Sequence, residues 1–248
     1  MTAGKRLREG IVPVFTPSRK SAPDFLKWLV FELGAGYYAR KLATGPEADL
    51  RRDFAEFFLH AIPGGSGAPV RVLDVGCGPG HLARHLSLRG CQVTAVDRST
   101  RLIRIARRWA TREGVYVDFQ NSPANSLPFP DRSFDASCAT TVIYFVNDAA
   151  QVLREMARVT KPGGIVATLD PSASMTVSAV REYGLRHRLS QSDRRKLNAW
   201  AVAAQFNRRF SESDLTALLQ SAGLSHCLLE PRLDGLVWFA RGSVPESP

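Results

Sequence analysis

The sequence predicts a doubly wound α/β fold: a mainly parallel seven-stranded sheet with an antiparallel last strand, preceded by a helical addition. Three observations carry this. Short apolar runs alternate with helical patterns between residues 70 and 170. The first run, Val70-Arg71-Val72-Leu73-Asp74-Val75, breaks into Gly76-Cys77-Gly78-Pro79-Gly80, and a helical pattern follows at once. The final two runs are joined only by Glu230-Pro231-Arg232-Leu233-Asp234-Gly235, too short for a helical crossover, so they pair antiparallel.

The elements follow in order. Residues 1–22 hold Pro13, Pro17 and several basic residues without a clear period, which reads as a mobile or extended leader. A helical prelude spans about 24–62; its second helix, from Pro46 to Ile62, sets Leu50, Phe54, Phe57 and Phe58 on one face. Pro63-Gly64-Gly65-Ser66-Gly67 is a linker. This divides the chain into a leader and prelude over 1–67, expected to cap the site, and a sheet domain over 68–242. Strands are expected at 70–75, 91–97, 115–119, 134–139, 165–169, 224–230 and 235–241. Helices are expected at 79–89, at 99–112 with Ser99 or Thr100 as cap, at 147–160, and from the capping-box start Ser211-Glu212-Ser213-Asp214 to Gly223. Residues 172–209 stand between the fifth strand and that last helix. They carry eight basic residues against two acidic ones, with Tyr183, Trp200 and Phe206 among them. This segment is the expected lid and substrate surface, suited to an anionic or aromatic acceptor; a solvated helical cover reads equally well.

Composition sets bounds. The 248 residues carry a formal charge of +10, spread along the chain and not gathered in a tail. That permits an acidic substrate or nucleic acid and establishes neither. Arg101, Arg104, Arg108 and Arg112 recur at helical spacing, which reads first as a solvated face. No apolar run is long enough to span a bilayer, and no signal peptide is read, so a cytoplasmic location is expected. Cys77, Cys91, Cys138 and Cys227 form no CxxC pair, which argues against a disulfide framework or a metal site.

The chemistry centres on the glycine turn. Its glycines let backbone turn sharply and lie close to a ligand. Asp97 ends the next strand, 21 positions beyond Gly76. An acid there is the usual partner of ribose hydroxyls. A nicotinamide site is the nearest competitor, but its fingerprint is GxGxxG, and the spacing here is GxGxG with His81 following.

Four stretches carry a resemblance. They are Val72-Leu73-Asp74-Val75-Gly76-Cys77-Gly78-Pro79-Gly80, then Val96-Asp97, then Leu127-Pro128-Phe129-Pro130-Asp131-Arg132-Ser133-Phe134-Asp135, then Lys161-Pro162-Gly163-Gly164. In this order the chain resembles the class I S-adenosylmethionine-dependent methyltransferases, of the ubiquinone-biosynthesis-like (type 11) branch, with their Rossmann-like fold. The resemblance covers about 68–170 and the end of the chain. It implies S-adenosylmethionine as cofactor, with S-adenosylhomocysteine as product. It places Gly76, Cys77, Gly78 and Gly80 against the methionine part, Asp74 at the amino group, and Asp97 at both ribose hydroxyls. Arg98 and Leu102 would border the adenine. The acid that commonly holds the adenine amino group is absent at Pro123, leaving backbone near Ala124, helped by Asn125. Thr140, Thr141 and Val142 would face the methionine and sulfonium, and Tyr37 or Tyr38 would close over the cofactor.

The implied reaction is in-line methyl transfer to oxygen, nitrogen or carbon of a small molecule. Tyr144, Asp170 and His187 are the nearby titratable groups; none is assigned as a catalytic base. Two other classes stay open. One is an RNA or DNA methyltransferase, favoured only by charge; Thr140-Thr141-Val142-Ile143 is not the motif of amino-group base methylation, and Cys138 lacks the Pro-Cys context of cytosine C5 enzymes. The other is a non-catalytic cofactor-binding partner protein.

Overall fold

The chain builds strands β1 (Arg71–Val75), β2 (Gln92–Asp97), β3 (Asp118–Asn121), β4 (Phe134–Thr140), β5 (Thr160–Pro171), β6 (Ser225–Arg232) and β7 (Val237–Ser243). Its fully described helices are α1 (Pro46–Leu59), α2 (His81–Leu88), α3 (Thr100–Glu113), α4 (Ala149–Val159), α5 (Val177–Arg186), α6 (Gln191–Gln205) and α7 (Glu212–Ser221). This computed structural model describes Leu33, Ala35, Gly36, Ala39, Arg40, residues 43–63 and residues 68–246. The expected leader, and Tyr37 and Tyr38, lie outside the described residues.

One seven-stranded sheet has the order β3-β2-β1-β4-β5-β7-β6. Pairs β1–β2, β2–β3, β1–β4 and β4–β5 are parallel, and β7 is antiparallel to both β5 and β6. The chain steps outward from β1 to β3, then returns to place β4 on the other side of β1. That reversal opens a crevice at the carboxyl ends of β1 and β4, where open α/β sheets bind ligands.

Alternation along β1 assigns the two faces. Val72 joins a core with residues of α1, α2, α3, α5 and α6, while Leu73 and Val75 join a second core with α4 and α7. The prelude helix is therefore part of the fold. Phe54 and Phe57 pack on Phe239 of β7 at ring centroid distances of 5.3 and 5.5 Å, and Phe54 and Phe58 are fully buried.

Helix starts follow side-chain caps. Ser99 Oγ accepts from the Leu102 N–H and Ser211 Oγ from the Asp214 N–H, as the sequence predicts. Some bounds depart from expectation, and the fifth strand spans Thr160–Pro171, not 165–169. The third strand starts at Asp118, not at 115, because Gly114 ends α3 in a left-handed conformation and the Val115 N–H is still held by Ala110 O. Residues 172–209 fold as α5 and α6, capped by Thr176 and Ser190. Trp200, read as part of a substrate surface, is buried with Leu197, Ala201 and Ala204 in the first core.

Two of the resembling stretches hold the scaffold. Arg158 of α4 donates to Leu127 O and Phe129 O at 3.0 and 2.8 Å and pairs with Asp131 at 2.7 Å. Glu155, one turn earlier, accepts from the Leu127 N–H at 2.7 Å. The Leu127–Asp131 loop is thus clamped onto α4. In the Lys161–Gly164 stretch, Lys161 pairs with Asp135 at 2.5 Å, and a Cβ on Gly164 would lie 2.5 Å from Asp135 O.

Candidate functional site

Asp74 lies on the face of β1 that carries Val72, one residue before the strand end. It is fully buried, and neither carboxylate oxygen has a hydrogen-bond partner. Burial pushes its pKa up to about 7, and the negative charge of Asp97 adds to the effect. A buried carboxyl without partners is costly unless something else supplies them.

The turn after β1 follows from its glycines. Gly76 and Gly78 sit at φ +68 and +54. A Cβ on Gly76 would lie 2.4 Å from Val142 Cγ2, so this position is closed by packing. A Cβ on Gly78 would meet nothing within 4 Å. Gly78 is therefore the point where the turn presents bare backbone to open space. Gly80 caps α2, and its missing Cβ makes room for the Phe119 ring, 2.8 Å from where that atom would be. The Cys77 thiol is buried, which pushes its pKa well above the ordinary value and keeps it neutral.

Asp97 ends β2 with both oxygens already oriented. Oδ2 accepts from the Gly78 N–H and Oδ1 from the Ser99 N–H, each at 2.8 Å. Beside it, Ser122 N–H and Asn121 Nδ2 donate to Asp97 O at 3.1 and 2.9 Å, fixing the loop after β3. On that loop Ala124 is half-buried and Asn125 exposed. Leu102 is buried at the start of α3, and Arg98 is exposed.

Thr140 and Thr141 come from the end of β4 and face the same space. A cavity is lined by Gly76, Cys77, Gly78, Pro79, His81, Leu82, Thr140, Thr141 and Arg51. Thr141 takes φ +59 and its N–H donates to Leu169 O at 2.7 Å, so the β4 exit is held in a defined bend. His81 opens α2, and its Nε2 lies 3.3 Å from Ala39 O. Burial and the nearby guanidinium groups of Arg51 and Arg84 push its pKa down to about 4, so the ring is neutral at pH 7.

Arg51 is the residue that sequence reasoning missed. It is buried, at 8% exposure, and its guanidinium donates to Glu47 O at 3.0 Å and lies 3.6 Å from the Glu47 carboxylate. The signal was a cation beside the apolar stripe Leu50, Phe54, Phe58. A buried cation needs a local reason, and here α1 delivers it to the glycine turn.

The titratable groups named as nearby fall in three places. Asp170 is fully buried; Oδ1 accepts from the Tyr144 N–H at 3.1 Å, and burial pushes its pKa well above the usual carboxylate range. Tyr144 is buried in the second core, across the sheet from Asp74. His187 is exposed at the end of α5, 2.8 Å from Asp234. None lines the cavity with Arg51 and the threonines. Among the described residues no cluster of His, Cys, Asp and Glu could hold a metal.

Residues 73–168 match the family described as a methyltransferase domain. That span runs from the middle of β1 through most of β5 and contains the glycine turn, Asp97 and the β4 exit. Malonyl-[acyl-carrier protein] O-methyltransferase of Pseudescherichia vulneris is 36% identical over 121 residues, covering 48% of this chain and 45% of that protein. Ubiquinone biosynthesis O-methyltransferase of Methylocella silvestris is 38% identical over 103 residues, 41% of this chain and 40% of that protein. The chain thus matches under half the length of each of these relatives. A solved structure, magnesium protoporphyrin IX methyltransferase of Synechocystis PCC 6803 with bound S-adenosylhomocysteine, superposes with a TM-score of 0.66 at 13% identity, covering 91% of this chain and 100% of that one. That likeness is one of fold, and it reaches beyond the matched span.

Proposed function

We propose that this chain is an S-adenosylmethionine-dependent methyltransferase acting on a small-molecule acceptor. The observation that carries the reading is the pair of carboxyls around the glycine turn: Asp97, braced by two backbone N–H groups, and Asp74, buried without partners. The residues fit the cofactor. Asp74 supplies an acceptor for an ammonium group, and the bare backbone at Gly78 admits close approach. Asp97 takes both ribose hydroxyls in a charge-assisted contact. Arg51 provides the cation for the amino-acid carboxylate, and Thr140 and Thr141 close the methionine side. Leu102, Arg98, Ala124 and Asn125 border the adenine.

When bound, S-adenosylmethionine supplies a methyl group on a sulfonium whose leaving group is already good. What remains for the protein is alignment and exclusion of water. The rigid turn and the bent β4 exit fix one reactant, and α1 covers it through Arg51. The neutral His81 and Cys77 put no competing thiolate or imidazolium charge beside it. With Asp170 and Tyr144 behind the sheet, no side chain of this domain is assigned the acceptor's proton; a pre-ionised acceptor needs none.

The acceptor side is built by α1, α5 and α6. Arg181, Arg188, Arg194 and Arg195 make no ion pair among the described residues, which supports an anionic acceptor. The relatives named as O-methyltransferases support oxygen as the accepting atom. The first test is thermal: S-adenosylhomocysteine at millimolar concentration is expected to raise the melting temperature of the full chain. No shift would sink the cofactor reading. Transfer of labelled methyl from S-adenosylmethionine to small acids and phenols of a cell extract then identifies the acceptor; label only in RNA or DNA would move the chain to the nucleic-acid class.

A further inference from the structure

A second cavity, of about 470 Å³, lies between α3 and the stretch that holds Gly36, Ala39 and Arg40. Its volume is in the range of small-molecule sites. Its apolar lining is Gly36, Ala39, Ile105 and the indole of Trp109, and its cations are Arg40, Arg108 and Arg112. It shares no lining residue with the cavity at the glycine turn. Among the described residues, His81 lines the first and packs its ring 5.1 Å from that of Trp109, and Arg84 donates to Pro79 O of the first while it lies beside Trp109.

The charges separate this place from an ordinary basic surface. Arg84, also beside Trp109 at 5.2 Å from the ring, is neutralised by Glu113 at 2.8 Å. The side chains of Arg40, Arg108 and Arg112 have no ion pair or hydrogen bond among the described residues. Three like charges thus converge from two elements on one apolar hollow, with no acid paired to them among the described residues. Such an arrangement is self-repelling unless an anion enters.

We propose that this cavity binds a small amphipathic organic anion: an acyl chain or ring seated on Ile105 and Trp109, with its carboxylate or phosphate among Arg40, Arg108 and Arg112. Arg108 and Arg112 stand one helical turn apart, so both reach one head group. Trp109 offers a flat apolar wall. The inference does not rest on methyl transfer, since the site lies outside the cofactor cavity.

Titration calorimetry on the full chain tests it with decyl phosphate and decanoate as probes, and decanol and inorganic phosphate as controls. The expected result is saturable one-to-one binding of at least one of the two anions, with decanol and inorganic phosphate each at least tenfold weaker. The double variant Arg108→Glu/Arg112→Glu is expected to weaken anion binding more than tenfold, and Arg40→Glu several-fold. Because these side chains are exposed and unpaired, the fold should survive; Arg108→Gln/Arg112→Gln, with its circular dichroism compared to the parent, provides a milder second variant expected to lose several-fold. Saturating S-adenosylhomocysteine should leave the probe bound. Equal affinity for decanol, no response to charge reversal, or displacement by S-adenosylhomocysteine would each overturn the proposal. A failed cofactor shift with intact anion binding would count against methyl transfer alone.

Discussion

The glycine-turn end and the α5–α6 side of this molecule are built in different ways. At the turn, contacts are short-range and mostly backbone: Gly78 and Ser99 N–H groups hold Asp97, and Cys77 N–H holds Val96 O at 2.9 Å. Residue identity there is dictated by what a backbone can do. Across α1, α5 and α6, contacts are side chain on side chain over long sequence distances. Lys196 donates to Thr44 Oγ1 at 2.9 Å, 152 residues away, and Phe54 meets Phe239. Only size and apolarity are demanded, so many residues serve. On the proposed reading, the first region specifies the donor and the second is free to vary with the acceptor.

That contrast can be broken experimentally. The largest effect is expected at Asp97: Asp97→Ala should weaken S-adenosylhomocysteine binding by roughly 1.5–3 kcal/mol, the scale of hydrogen bonds to a charged group. Calorimetry reads it, and an unchanged affinity would remove Asp97 from the site. Next come two glycines that should separate. Gly76→Ala drives a methyl into Val142 at a left-handed φ, so a loss of about 1–3 kcal/mol in stability is expected in denaturant titration. Gly78→Ala meets open space, so its stability loss should be smaller, about 1–2 kcal/mol from backbone strain alone, while cofactor affinity falls. Equal behaviour of the two would mean that Gly78 is not the close-approach point.

Asp74 gives a pH signature. Its folded pKa, near 7, is raised above the unfolded value of 3.8. The fold therefore holds a proton that the unfolded chain has released. This group's contribution to stability falls as pH rises from about 4 to 7 and is flat above. A ligand ammonium beside Asp74 favours the ionised form, so cofactor affinity should climb between pH 5.5 and 7, and Asp74→Asn should flatten that slope. A profile identical in the variant would assign the titration elsewhere.

The smallest effect on the donor is expected from the acceptor side. Arg188→Glu/Arg195→Glu should leave S-adenosylhomocysteine affinity within about twofold, because exposed charges beyond a Debye length of roughly 8 Å are largely screened. The same pair should raise KM for an anionic acceptor. A donor affinity that fell with the acceptor's would join the two regions into one.

Legibility followed the same division. The glycine turn, Asp97, the seven strands and the Ser99 and Ser211 caps were readable because each rests on local geometry. The strand-three boundary slipped because apolar Val115 and Val117 resemble a strand while the helix cap at Gly114 still holds the backbone. The role of the Leu127–Asp131 stretch was not readable either, since the Arg158 and Glu155 that clamp it lie about thirty residues further on. The caps Thr176 and Ser190 start α5 and α6 in a segment that the sequence leaves open between a substrate surface and a helical cover. No period in the sequence marks Arg51 as a site residue.

By itself, then, the sequence determined the sheet, the turn at its switch point and the carboxylate at the end of β2. Strand periodicity, glycine stereochemistry and the spacing of strand ends are properties of neighbouring residues. The tertiary structure decided that Asp74 is buried without a partner, that Arg51 arrives from α1 beside it, and that Trp200 belongs to the core. Burial and charge proximity are set by elements far apart in the chain, and they exist only once those elements pack.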